Sequence, residues 1–330
     1  MATRKDVARR AEVSEGTVSH VITGNVYVKD EKKERVLQAI KELNYIPDQN
    51  ARSLVTNKSD NIGIAIYETT NPYHMEIAKK IEEFATTKGY IVSLFMLDNN
   101  MEDKLRIITE RRVDGFVNFM TNRYPSEFIN ALKSRGTELV NFDSSVGPMF
   151  LNDYTSAMTE VLQKLKELGH KNLAYISTLD EKNFAVDTRG KTWFAETEKL
   201  GFNKCKVYYN HEFNLPSDKT GNKLAKKMIA EYKNVTAVFC TNDLSAMGCL
   251  RALSDAGLKV PQDISVIGCD NIALSEILVP SLTTLDIDKA RQGYDIARQI
   301  IERTEPGTNM LKIYEAKAIF RESVSMAKKW

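Results

Sequence analysis

The sequence predicts a small all-α headpiece followed by a larger α/β core of two lobes, each built on a parallel sheet. Three observations carry this reading. Two short helical patterns meet at a tight turn over residues 3–22. From about residue 61 onward, short apolar runs alternate with helical patterns, the rhythm of strands joined by crossover helices. That alternation then runs through two successive sets of similar size, and 330 residues are enough to bury more than one core.

In the first helix Val7 and Ala11 lie four residues apart on one face; Val18 and Ile22 do the same in the second. Thr3 suits a capping box with Asp6, and Ser14 suits the cap of the second helix. The link 11–14 has room only for a sharp helix–turn–helix. The second helix then turns Glu15, Gly16, Thr17, Ser19 and His20 outward, short polar or backbone-exposing residues able to reach base edges and phosphates. Taken alone, the same pattern also fits an ordinary helical hairpin. The next thirty residues argue against that: Val36, Ile40 and Leu43 stripe a third helix over 30–43, Tyr45-Ile46-Pro47 stops it, and a short helix is expected over 49–55.

Composition is that of a globular protein, with 42% hydrophobic and 27% charged residues. Residues 1–60 carry eleven Lys/Arg against nine Asp/Glu, so the headpiece is weakly basic and charge alone does not announce a nucleic-acid partner. Cys205, Cys240, Cys249 and Cys269 lack CxxC spacing, which favours reduced thiols over a disulfide framework or metal site. No apolar run is long enough to span a bilayer or to precede a signal cleavage site, so a cytoplasmic location is expected.

After a polar linker over 57–61, strands are expected at 62–67, 90–97, 115–120 and 138–142, with helices at 73–88, 102–111 and 126–134. A helix over 155–168 ends at Gly169, a natural C-terminal stop. The second set has strands at 172–177, 206–210, 236–240 and 265–269 and helices at 187–200, 218–232 and 244–256. Small ligands bind open α/β sheets at the carboxyl ends of their strands, so the cleft between lobes is the expected site.

Enzyme motifs are weak. Gly190-Lys191-Thr192 imitates the end of a phosphate-binding loop, but Ala185 stands where that loop needs glycine. No GxGxxG follows a strand, and His20, His74, His170 and His211 are scattered without nucleophile or ligand spacing. His170 is expected at a helix C-terminus, where positive charge is favourable. No catalytic residue, metal or cofactor is assigned, and the chain is read as a non-enzyme.

The headpiece run MATRKDVARRAEVSEGTVSHVITG, then ERVLQAIKELNYIP, then NARSL, resembles the DNA-binding headpiece and hinge of LacI/GalR bacterial transcription regulators, nearest the purine-repressor and catabolite-control branches. The resemblance implies a headpiece over 1–46, a hinge helix and linker over 47–60, and a periplasmic-binding-protein-like core over 61–330. In it the first lobe spans about 61–154 plus 287–316 and the second about 155–286 plus 317–330, with a helix over 288–302 returning to the first lobe. It implies a homodimer; no heptad tail is present, so no tetramer is expected. DNA contacts are then expected from Thr3, Ser14, Glu15, Gly16, Thr17, Ser19, His20, Asn25, Ala51, Arg52 and Leu54, the leucine as a wedge between base steps of the minor groove.

The resemblance also places a small-molecule effector against Tyr73, Asp143, Arg189, Trp193, Phe213, Asn242 and Asp270. Arg supplies fixed donors, Asp and Asn accept from or donate to ligand groups, and aromatics cover an apolar ring face. The plain alternative is a structural Arg189–Asp270 ion pair with the aromatics in the core. The reading is a ligand-responsive repressor of a near-palindromic operator, its effector a sugar in preference to a purine, with a phosphoprotein co-effector compatible with the family. A different class, a sugar-binding or sugar-modifying α/β protein with an accessory headpiece, is distinguished by ligand-modulated DNA binding without turnover. Departures from the family pattern are Glu12 where relatives carry glycine in the turn, Lys29 in place of a hydroxyl cap with Asp30 as the expected substitute, Val55 after the hinge leucine, and Gly190 and Thr192 after Arg189.

Overall fold

The computed structural model describes residues 2–24, 26–46, 58–66, 68, 70–97, 101–119, 124–142, 144–212, 215–303 and 310–328. The hinge residues 47–57, and with them Ala51, Arg52 and Leu54, lie outside the described residues, as do Asn25, Asp143 and Phe213.

The headpiece has three helices, α1 (Arg4–Arg10), α2 (Glu15–Thr23) and α3 (Asp30–Glu42). Thr3 and Asp6 form the full capping box, and Ser14 Oγ accepts the Thr17 N–H at 3.1 Å. At α3 the expected substitute cap is not used. Lys29 holds the cap position without a side-chain bond, and Asp30 is the first helical residue, where with Glu31 it favours the helix dipole. Val7, Ala8, Ala11, Val18, Val36 and Ala39 form the headpiece core. In the turn Glu12 has φ +54°, the left-handed region that suits glycine.

In the first lobe β1 (Asn61–Ile66), β2 (Ile91–Met96), β3 (Gly115–Asn118) and β4 (Glu138–Val140) form a parallel sheet in the order β2-β1-β3-β4. The connecting helices are α4 (Pro72–Thr87), α5 (Met101–Glu110) and α6 (Ser126–Ser134). After β5 (Met149–Asp153) and α7 (Thr155–Glu167), the second lobe repeats the topology. Its strands β6 (Asn172–Ser177), β7 (Lys204–Tyr209), β8 (Ala237–Cys240) and β9 (Ser265–Ile267) run parallel in the order β7-β6-β8-β9. The central strands β1 and β6 are buried almost throughout, as sheets covered on both faces require.

The second lobe's helices are α8 (Glu181–Val186), α9 (Thr188–Lys199), α10 (Ser217–Glu231) and α11 (Asp243–Asp255). α10 and α11 cross at backbone contact. A Cβ on Gly221 would sit 2.0 Å from the Ser245 carbonyl oxygen, and one on Gly248 would sit 2.0 Å from that of Asp218. Glycine at both positions is what lets the helices meet.

The tail of the chain weaves between lobes. A short α12 (Ala273–Ile277) precedes β10 (Thr284–Asp286). α13 (Lys289–Glu302) then packs on α4 in the first lobe, with Tyr294 edge-on to Phe84 and Lys88 paired to Glu302. β11 (Leu311–Glu315) pairs in parallel with β5, and β12 (Lys317–Ile319) pairs antiparallel with β10. The last segment returns to β9, where Val266 N–H donates to the Ser323 carbonyl. Three crossings therefore join the lobes, just after β5, just after β10 and between β11 and β12.

Elements α8, β5, β10 and β11 fall outside the expectations, being three to six residues long and too short to show a period. β7 begins at Lys204, two residues before the expected start. His170 also differs. It is buried, with Nδ1 3.0 Å from Thr236 Oγ1 and Nε2 2.9 Å from the Ser325 carbonyl, and burial lowers its pKa. It is a neutral tie between β8 and the chain end, not a cation on a helix dipole. Cys240, Cys249 and Cys269 are buried free thiols and Cys205 is half-buried.

Candidate functional site

On the headpiece, Ser14, Glu15, Gly16 and His20 are exposed and Thr17 and Ser19 half-buried along the start of α2. Several have intramolecular partners. Ser14 Oγ lies 2.9 Å from Thr17 Oγ1, and Glu15 lies 3.5 Å from Arg4 Nε. Thr3 is exposed, but its N–H and hydroxyl both donate to the Asp6 carboxylate, which lowers that group's pKa. Thr3 therefore acts first as a cap. Glu15 meets a cation across the turn rather than standing as an unpaired acid.

The second candidate site is a cavity of about 900 Å³ between the lobes, of a size that suits a small molecule. Residues after β1, β3, β4, β6, β8 and β9 all reach it, so it lies at the carboxyl ends of both parallel sheets. Of the expected ligand residues, Tyr73, Arg189, Asn242 and Asp270 line it. Trp193 does not. It is 1% exposed and packs against Tyr175 and Phe239 in the second lobe's core. Four residues after Arg189, it lies on the same face of α9 but one turn further along, where that face is packed in the core rather than open to the cavity.

Each lining residue is placed by its local sequence. Asn71 caps α4 through the Tyr73 N–H with Pro72 in the first turn, which fixes Tyr73 on the cavity wall. The Tyr73 hydroxyl accepts from Asn152 Nδ2 at 2.5 Å. Asn152 also reaches the Tyr154 hydroxyl at 3.2 Å and accepts from Gln292 at 3.1 Å. Burial raises the pKa of both tyrosines, so each stays a neutral phenol.

Arg189 is paired, but not with Asp270. Its Nε and one Nη donate to the two oxygens of Asp187, each at 2.9 Å, and its other Nη donates to the Thr241 carbonyl at 2.9 Å. The guanidinium also lies 5.1 Å from the Tyr154 ring centroid. Burial works against the charge, yet the pair holds the Asp187 pKa below and the Arg189 pKa above their usual values.

Asp270 sits in a strained turn after β9, with φ +114° and Asn271 following at +47°. The turn is pinned by Lys289 Nζ, which donates to the carbonyls of Asp270 and Asn271, and by Arg321, which donates to Asn271 Oδ1. The Asp270 carboxyl hydrogen-bonds to no described side chain and is 5% exposed. Burial, then the neighbouring Asp243, push its pKa well above the carboxylate range. It presents an acid group to the cavity that no side chain among the described residues engages.

Several residues at the site escaped the sequence reading. Asn118 and Asn141 end two strands of the first lobe, and Asn118 Nδ2 donates to the Asn141 carbonyl at 3.1 Å. His74 stacks on Phe119 at 5.4 Å, its Nδ1 buried without a partner, and burial lowers its pKa to about 4. Asp187 caps α9 and anchors Arg189. The Asn and Asp residues at strand ends were the available signal.

Known proteins share this arrangement. Residues 3–48 match the model of the bacterial regulatory proteins of the lacI family, and residues 162–324 match a periplasmic binding protein-like domain. The HTH-type transcriptional repressor PurR of Histophilus somni (strain 129Pt) is 35% identical over 98% of this chain and 99% of its own. PurR of Erwinia tasmaniensis is 34% identical over 92% of this chain and 90% of its own. Among solved structures, the lac repressor dimer bound to operator and the anti-inducer ONPF superposes with a TM-score of 0.78 at 22% identity, covering 98% of this chain and 99% of that one. An Enterococcus faecium LacI family regulator with bound ribose gives 0.69 at 23% identity, covering 81% and 100%. The order of headpiece and periplasmic-binding-protein-like core is thus shared along nearly the whole length of the chain, which belongs to the LacI family of bacterial transcriptional repressors.

Proposed function

We propose that the chain is a cytoplasmic, non-catalytic homodimer whose operator affinity is set by a small molecule in the inter-lobe cavity. Its division is into headpiece 1–46, hinge 47–60 and two-lobed core 61–330. The observation that carries this reading is the cavity itself. There the carboxyl of Asp270, the oriented Arg189 fork and Asn242 come from the second lobe, and Tyr73 comes from the first. Base readout is assigned to Glu15, Gly16 and His20, and phosphate contact to Ser14, Thr17 and Ser19. Asn25, Ala51, Arg52 and Leu54 keep the roles the family resemblance gives them. The dimer is supported by exposed Ile91, Leu94 and Met96 on the edge strand β2 and by exposed Ile277 and Val279, apolar groups that a partner would cover.

The sequence alone favours a sugar over a purine as effector. The relatives shift that weighting. Regulators solved with ribose or cellobiose share only the fold, at 22–23% identity, whereas the relatives called PurR reach 34–35%. The site chemistry is compatible with the shift. Tyr73, His74, Phe119 and Tyr154 bring ring faces and edges to the cavity, and Asp270, Asn118 and Asn242 bring hydrogen-bonding groups. The effector is therefore assigned as a planar nitrogen heterocycle of purine-base size.

The test is a calorimetric and thermal-shift series with guanine, hypoxanthine and adenine against ribose, glucose and cellobiose. A purine base at about 100 times its Kd is expected to stabilise the core by roughly 2.7 kcal/mol. A sugar hit with silent purines would replace the purine reading, and silence from both would remove the cavity assignment.

A further inference from the structure

Glu68 follows β1 in the first lobe, and its carboxylate reaches the second. One oxygen accepts the Ser217 backbone N–H at 2.7 Å and the other accepts the Ser217 hydroxyl at 2.7 Å. Ser217 is the first residue of α10, whose cap position is Pro216 and carries no side-chain cap. The first-turn N–H groups of a helix are unpaired and carry partial positive charge. Glu68 therefore supplies, from the opposite lobe, the cap that the sequence of α10 lacks.

The chain of bonds continues. The Ser217 hydroxyl gives its proton to Glu68 and accepts from Asn242 Nδ2 at 3.1 Å. Asn242 Oδ1 accepts the Ser245 N–H at 2.8 Å as the cap of α11. Both ends of the Asn242 amide are thus assigned, one by its own helix and one by a relay that starts in the other lobe. Ser217 is 6% exposed and Asn242 8%, so water does not readily replace these partners. Asn242 lines the cavity.

We propose that Glu68 is a positioning residue for ligand recognition, clasping the two lobes and, through Ser217, fixing how Asn242 presents its amide to the cavity. The inference rests on the cavity being the effector site. A ligand that uses Asn242 meets an oriented amide only while the clasp is closed, so lobe closure and ligand affinity rise together.

The experiment uses the full chain in two arms. In the first, hydrogen exchange is followed without ligand in wild type, Glu68→Ala and Glu68→Gln. The first turn of α10 is expected to exchange about tenfold faster in Glu68→Ala and to an intermediate degree in Glu68→Gln, with β8 unchanged. Unchanged exchange in that turn overturns the clasp.

In the second arm, affinity for whichever of guanine, hypoxanthine or ribose binds wild type is measured in the same proteins and in Ser217→Ala. Glu68→Ala is expected to weaken it about tenfold, Glu68→Gln to regain most of the loss, and the Glu68→Ala/Ser217→Ala double variant to lose no more than either single one. Faster exchange with unchanged affinity overturns the positioning of Asn242. If no probe binds wild type, the effector assignment fails by itself, and the clasp is decided by the exchange result.

Discussion

The headpiece and the cavity reach function by opposite routes. On the headpiece the exposed face of α2 comes from residues 14–20, neighbours in sequence, set by two caps and a six-residue core. The cavity gathers residues from Asn71 to Asp270, and most of its geometry comes from partners far away in the chain. Asn152 is positioned by Tyr73 and Gln292, and Asn242 by a residue of the other lobe through Ser217. A substitution on the headpiece should therefore act locally, whereas one at the cavity should disturb fold and ligand response together.

The largest test of that difference is Arg189→Ala. It strands Asp187 in a cavity wall without its two charge-assisted bonds, and breaking such a pair costs about 3–5 kcal/mol. Denaturant unfolding of the core should show that loss, together with loss of effector response, while headpiece helicity stays intact. Arg189→Lys keeps the charge but not the fork, and should recover only part of it.

Next comes Gly248→Ala. The added methyl lands 2.0 Å from the Asp218 carbonyl oxygen, so α10 and α11 must separate, at a cost of about 1–3 kcal/mol. Chemical denaturation measures it. Because α10 carries Ser217 and α11 begins beside Asn242, weaker ligand binding should accompany the loss.

The third test is pH. Burial holds the His74 pKa at about 4, below the usual 6.5 of histidine, so the unfolded chain binds a proton that the folded one refuses. Stability is lost as pH falls from 6.5 toward 4, by roughly 1.4 kcal/mol at pH 5.5. Asp243 runs the other way. Burial pushes it up to about 7, so stability is lost as pH rises from 3.8 toward 7. The two trends oppose each other, and the clean readout is the difference between wild type and His74→Phe. The variant should lose less stability than wild type on going from pH 7 to pH 5.5.

The smallest effect belongs to the headpiece. Glu12 adopts φ +54°, and against that strain its side chain sets an exposed 3.5 Å pair with Arg35. Glu12→Gly should stabilise the headpiece by up to about 1 kcal/mol in thermal unfolding, without any change in ligand affinity.

These contrasts also explain what was legible in the sequence. Caps, periodic stripes and strand–helix alternation are local, and they revealed the headpiece helices, both parallel sheets and their crossovers. Tyr73, Asn242 and Asp270 came from the family resemblance, which matches the motifs around them to cleft turns, and not from periodicity. Trp193 misled because it shares the Arg189 face of α9 but sits one turn further along, where it packs into the core instead of reaching the cavity. The partner of Arg189 was hidden as well, since Asp187 entered only as the first residue of a helix expected over 187–200. Glu68 carried no signal at all, because its meaning depends on Ser217, 149 residues away.

The most direct test of the coupling between headpiece and cavity is operator binding with the cavity filled and empty. A DNA site is selected in vitro with the full-length protein, and its affinity is read by fluorescence anisotropy with and without the probe that binds best in the effector series. Coupling predicts a change of at least about fivefold in operator affinity, and the same factor in probe affinity when DNA is saturating. A probe that occupies the cavity while operator affinity stays constant would contradict it, leaving a headpiece and a cavity that share a chain but not a function.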